Sequence, residues 1–217
     1  MKKRVAVLIS GNGSNLQAII DAVNRREIAG ELVLVISNKQ DAYGLERAKL
    51  AGIETKVLQH TDYSSRSDFD HALLKSLDQS QVDLIVLAGF MRILTPEFVE
   101  HFAGKILNIH PSLLPKYKGL DTHQRAIDAG DEEHGCSVHF VTPELDGGPV
   151  ALQAIVKIAA TDDVPSLQHK VHKTEHAAYP KVVEWFCEGR LQCRADKLWL
   201  DDELLSQKGF QLTFDTL

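Results

Sequence analysis

The chain has 217 residues, 44% of them apolar and 25% charged, with a net charge of −6 and a pI near 5.9. That composition is ordinary for a globular protein and long enough to bury a sizeable core without staples. The acidic balance argues against a general nucleic-acid binder, and no apolar run approaches the length of a membrane span. Cys136, Cys187 and Cys193 are odd in number and lack C-x-x-C spacing, which suits a reducing cytoplasm and argues against a disulfide or zinc framework. The start, Met-Lys-Lys-Arg, resembles a signal n-region, but the apolar run after it is too short for an h-region.

Val5 to Ile9 reads as a strand covered on both faces. Ser10-Gly-Asn-Gly13 is a turn, after which Ser14 or Asn15 caps a helix carrying Leu16, Ile19, Ile20 and Val23 on one face. Leu32 to Ile36 is a second strand. Gly44 to Ala51 is a short helix closed by Gly52. Thr55 to Leu58 is a third strand, and Ser67 to Leu77 a helix with Phe69, Leu73, Leu74 and Leu77 along one side. Leu84 to Leu87 is a fourth strand, Pro96 opens a further helix, and Lys105 to Ile109 is a fifth strand. Strands alternating with helices mean βαβ units and a parallel sheet with right-handed crossovers. Beyond them, His134 to Thr142 and Val150 to Ile158 are longer strands around a Pro143–Pro149 turn, as in a hairpin. Ser166 to Phe186 is a long helix in which Pro180 predicts a kink. Leu191 to Cys193 and Lys197 to Leu200 are short strands, followed by a loose polar end.

The fold class this predicts is α/β: three layers around a mostly parallel twisted sheet, Rossmann-like in its N-terminal half, with a mixed C-terminal extension. A single domain over 1–217 is expected, with a phosphate-binding half over 1–109, a catalytic half over 110–200 and a tail over 201–217.

Three stretches carry chemistry. In Gly11-Asn12-Gly13-Ser14-Asn15, a strand, a glycine turn and a helix start come together, an arrangement that attracts anions. The spacing ends on Leu16 where a dinucleotide fingerprint has its third glycine, and no Gly-Lys-Ser/Thr follows. A single phosphate monoester suits it better than NAD or a nucleoside triphosphate; an empty βα turn is the competing account. Ala88-Gly89-Phe90-Met91-Arg92-Ile93-Leu94 leaves the fourth strand at the same end of the sheet and reads either as a slot for a flat heterocycle or as a packed loop. Asn108 and His110 lie two apart on one side of the fifth strand, and Pro111 and Pro115 stiffen the exit. Leu145-Asp146-Gly147-Gly148-Pro149 adds a lone carboxylate on a glycine-rich turn. Asn108 can donate to a developing oxyanion, Asp146 can support His110, and Ser112 lacks any nucleophile elbow. The chemistry expected is therefore direct transfer between bound substrates, with His110 moving protons. His169, His172 and His176 share a helix face, but His-Lys-Thr-Glu-His is not H-E-x-x-H, so no metal is expected.

These segments, together with Asn108-Ile-His-Pro-Ser-Leu-Leu-Pro-Lys-Tyr117 and Gly135-Cys-Ser-Val-His-Phe140, closely resemble the 10-formyltetrahydrofolate-dependent phosphoribosylglycinamide formyltransferase family, from the first strand to about Trp199. The resemblance implies a formyltransferase fold and a one-carbon transferase of de novo purine synthesis in the cytoplasm. It implies two small-molecule substrates, glycinamide ribonucleotide and 10-formyltetrahydrofolate, a monomer or homodimer, and neither nucleic acid nor membrane as partner. By resemblance, the ribonucleotide phosphate sits on Gly13, Ser14 and Asn15, with Leu16 and Gln17 completing the loop, and Glu175 holds the ribose hydroxyls. The folate lies against Met91, Arg92, Ile93 and Leu94 and the Thr142–Asp146 loop, with Arg66 at its carboxylate tail. Asn108, His110 and Asp146 match the catalytic set. His172, where relatives often carry Gln or Lys, and Pro143, where an acidic residue is common, depart from the family pattern. A hydrolase of 10-formyltetrahydrofolate, which shares the Asn-x-His core, is the nearest alternative.

Overall fold

Apolar runs punctuated by glycine turns become parallel strands in the computed structural model, which describes residues 1–194 and 197–214. The chain divides into two units, Met1–Asn108 and Ile109–Leu217. In the first, strands and helices alternate: β1 (Lys3–Ile9), α1 (Ser14–Asn24), β2 (Gly30–Ser37), α2 (Gly44–Leu50), β3 (Thr55–Val57), α3 (Arg66–Gln79), β4 (Leu84–Leu87), α4 (Pro96–His101) and then β5 (Ile106–His110), which runs across the boundary. The strand order is β3-β2-β1-β4-β5, every pair parallel. Val5 to Ile9 and Leu84 to Val86 are fully buried, as strands covered on both faces must be. α1 buries Leu16, Ile19 and Ile20, and α3 buries Phe69, Leu73 and Leu77, each worth about 1.5–3 kcal/mol against exposure. Because all five strands run the same way, their carboxyl ends share one edge of this unit. Ser10 to Gly13, Asn38 and Gly89 to Leu94 leave the sheet there, and Asn108 of β5 pairs at that edge with Leu87, the last residue of β4.

The second unit is built differently. After the end of β5 come α5 (Thr122–Asp128), β6 (Glu133–Phe140), β7 (Val150–Lys157), α6 (Val164–Cys187), β8 (Leu191–Arg194), β9 (Lys197–Leu200), β10 (Glu203–Leu204) and β11 (Phe210–Phe214). β6 and β7 pair antiparallel, as the hairpin reading expects, with a register shift between Val138 and His139. α6 opens on a capping box between Asp163 and Ser166 and runs through Pro180 without a break. Among the described residues no helix is long and apolar enough to cross a membrane.

Two expectations are overturned, and one element was missed. α1 is not capped by Ser14 or Asn15: Gly13 holds the cap position with φ 73° and no side chain caps it. α5 was not legible, since its seven residues begin after Asp121 in a left-handed conformation and bury only Thr122 and Ala126. The C-terminal end is not loose: β11 pairs parallel with β7 from Phe210↔Leu152 to Phe214↔Val156. The period-two signal, Phe210, Leu212, Phe214, is present in the sequence, but only a partner edge makes a strand of it. The last three residues of the expected tail lie outside the described residues.

Candidate active site

The glycine turn of the first unit is held by close packing. A Cβ on Gly13 would come within 2.7 Å of the Gly44 Cα, and its φ of 73° already disfavours other residues. Gly44 N donates to Gly11 O at 3.0 Å, and Gln17 N donates to Gly13 O at 2.9 Å. Ser14 and Asn15 are thus the first residues of α1, where backbone N–H groups face outward along the helix axis. Leu16 is fully buried, so only its backbone can meet a ligand. The Gln17 side chain is engaged, receiving Arg47 Nη1 at 3.2 Å and donating to Asp21 Oδ1 at 2.9 Å.

At the exit of β4, Met91 and Ile93 are 73% and 61% exposed, whereas Phe90 and Leu94 are buried. Large apolar side chains projecting from a strand-end loop are what a flat ligand can cover. Arg92 stacks over the Phe69 ring at 5.7 Å. Arg66 is exposed at the first position of α3, which Ser65 caps. Asn108 lies at the carboxyl end of the same sheet, half-buried, in register with Leu87 of β4.

In the second unit the structure brings His110 and Asp146 together. Both side chains are under 10% exposed, with Nδ1 3.5 Å from Oδ2. His110 Nε2 donates to the Tyr117 carbonyl at 2.8 Å. Each ring nitrogen thus faces an oxygen acceptor, and the doubly protonated ring can donate at both ends. Asp146 adopts φ 47°, a left-handed conformation that Asp tolerates better than most residues, and Oδ2 accepts the Gly119 N–H at 2.9 Å. The turn that carries it requires Gly148, where a Cβ would collide with the Phe140 carbonyl at 1.8 Å. Glu175 is buried on α6, next to the fully buried Thr174. His169 and His172 are exposed and His176 is half-buried; among the described residues no three His, Cys, Asp or Glu are grouped to hold a metal ion.

A second histidine beside the carboxylate was not singled out in the sequence. His139 Nε2 lies 3.8 Å from Asp146 Oδ1, and Nδ1 donates to the Phe140 carbonyl at 2.9 Å. Burial pushes this imidazole down to about 4, so it stays neutral next to the carboxylate at pH 7. Nearby, His123 Nδ1 and His134 Nε2 are 3.0 Å apart. Burial, and then the His123 charge, holds His134 down at about 4; burial, then His172 and His110, lowers His123. The only sequence signal for these was the number of histidines, 10 in all, since spacing along a strand does not reveal what lies across the hairpin.

A parallel α/β sheet with a glycine turn at one strand end, and a buried His–Asp pair in the second unit, suit a group-transfer enzyme. The sequence matches the formyl transferase family over residues 3–183, and the chain belongs to that family; it is an enzyme of the transferase class. Phosphoribosylglycinamide formyltransferase of Escherichia coli strain K12 is 55% identical over 206 residues, covering 95% of this chain and 97% of its own. The protein of that name from Haemophilus influenzae is 51% identical over 208 residues, covering 96% and 98%. Among solved structures, phosphoribosylglycinamide formyltransferase of Coxiella burnetii in complex with CHES superposes with a TM-score of 0.94 at 48% identity, covering 98% of this chain and all of that one.

Proposed function

We propose that this chain transfers the formyl group of 10-formyltetrahydrofolate to the amine of glycinamide ribonucleotide, a step of de novo purine synthesis in the cytoplasm. The observation that carries the reading is the buried His110–Asp146 pair in a chain 55% identical, over nearly its whole length, to a phosphoribosylglycinamide formyltransferase. The phosphate binds at Gly13, Ser14 and Asn15, with Leu16 and Gln17 completing the loop, because glycine and helix-start amides favour an anion. Glu175 holds the ribose hydroxyls. The pterin lies against Met91, Arg92, Ile93, Leu94 and the Thr142–Asp146 turn, and Arg66 meets the folate carboxylates.

The neutral amine attacks the formyl carbon, and the carbonyl oxygen gains negative charge. The Asn108 amide and the His110 imidazolium stabilise that oxygen. Nε2, which here donates to the Tyr117 carbonyl, changes partner to do so. Asp146 balances the imidazolium charge and orders a water that carries the proton from the attacking amine to N10 as the C–N10 bond breaks. No covalent enzyme intermediate forms. The test is to incubate the protein with 10-formyltetrahydrofolate, with and without glycinamide ribonucleotide, and to follow tetrahydrofolate release. Turnover that depends on the ribonucleotide supports transfer; equal turnover without it selects the hydrolase.

A further inference from the structure

Resting on that reading, we propose that Ser10 and Arg47 are positioning residues for two different substrates: Ser10, backed by Asn38, sets the folate segment, and Arg47 sets the phosphate turn. Ser10 follows directly on β1 and is buried. Its hydroxyl accepts the Met91 N–H at 2.8 Å and donates to Asn38 Oδ1 at 2.6 Å. Asn38, at the end of β2, is only 3% exposed, and its Nδ2 lies 3.2 Å from His60 Nδ1. One hydroxyl therefore ties together three strand ends of the sheet.

Residues 90–95 belong to no helix or strand, so their shape depends on such ties. Ser10 holds the segment at Met91, and the buried Asp70 holds it at Thr95, whose N–H it accepts at 2.6 Å. Removing the Ser10 hydroxyl takes from the Met91 N–H and from the buried Asn38 Oδ1 the one partner that they share. A loop with so few regular bonds responds by shifting.

The phosphate turn has its own anchor. Arg47 reaches back from α2 and spends its whole fork on the turn: Nε to Asn12 O at 2.9 Å, Nη2 to Asn12 Oδ1 at 3.1 Å and Nη1 to Gln17 Oε1 at 3.2 Å. The Tyr43 ring, 4.8 Å below the guanidinium, fixes its plane. Lysine cannot reproduce a three-point planar contact. Ser10 and Arg47 share no hydrogen-bond partner, so their effects should separate.

The test is the pair of Michaelis constants. Ser10→Ala should raise the KM for 10-formyltetrahydrofolate about tenfold and leave that for glycinamide ribonucleotide within about twofold. Arg47→Ala and Arg47→Lys should do the reverse. Asn38→Ala should follow Ser10→Ala with a smaller rise, and it carries the test should Ser10→Ala fail to fold. A merely structural role would lower the thermal midpoint and the active fraction with both KM values unchanged. That result overturns the proposal, as does a variant in which both constants rise together. Ile93→Glu, placed within the segment, separates the premise from the inference. If it leaves the folate KM unchanged, the folate reading fails; if it raises that KM and Ser10→Ala does not, the positioning role alone fails.

Discussion

The two units solve different problems with different materials. The first presents backbone: a glycine turn, helix-start amides and a strand-end segment whose apolar side chains, Met91 and Ile93, stand in the open. Its polar side chains work from behind, holding loops in place. The second presents buried titratable side chains: His110, His139 and Asp146 within 4 Å contacts, with His123 and His134 beside them. Binding a phosphate or a flat ring needs shape and amides, which survive exposure to water. Supporting an imidazolium needs a carboxylate out of water, where its field is not screened.

The comparison is sharpest where the chemistry is removed. His110→Ala and Asp146→Asn should each lower turnover about 100-fold or more with small changes in either KM, measured by steady-state kinetics. A change confined to KM would place these residues in binding and erase the contrast. The buried histidines also predict an acid-labile second unit. His139 and His134 titrate near 4 in the folded protein against 6.5 ordinarily. Between those values the unfolded chain binds more protons than the folded one, so their contribution is complete above about pH 7 and falls as the pH drops toward 4. At pH 5 the loss is roughly 2 kcal/mol for each. Urea unfolding at pH 7.5 and pH 5 should show it, and His134→Gln should shrink the difference.

The first unit should break differently. Gly13→Ala adds a Cβ against the Gly44 Cα and strains a left-handed φ, so the ribonucleotide KM should rise about tenfold while turnover at saturation holds. Ser14→Ala with Asn15→Ala should move the same constant and spare the folate. The smallest effect expected is at Ser65, whose hydroxyl caps α3 by accepting the Asp68 N–H at 3.1 Å. Ser65→Ala should cost about 1 kcal/mol in urea unfolding with neither KM altered.

Much of this was legible in the chain. Continuous apolar runs placed β1, β2, β4 and β5, since a strand covered on both faces has no polar alternation to display, whereas β3, Thr-Lys-Val, is a partly exposed edge strand. Asn108, His110 and Asp146 stood out because prolines and glycines mark a backbone held for a purpose. α5 did not, since seven residues with two buried positions give no period, and β11 did not, since a strand edge exists only with its partner.

The sequence by itself determined the alternation of strands and helices, the turns that need glycine, and the residue types available for chemistry. These follow from local sterics and from hydrophobic period, which act between near neighbours. The tertiary structure alone decided that His139 and Asp146 share a burial site, that the Tyr117 carbonyl takes one nitrogen of His110, and that Ser10 holds Met91 through a single hydroxyl. Those are polar contacts that no helical or strand period predicts: two join residues seven apart across turns, and the third spans 81 residues. Their strength depends on exclusion of water, which only packing supplies.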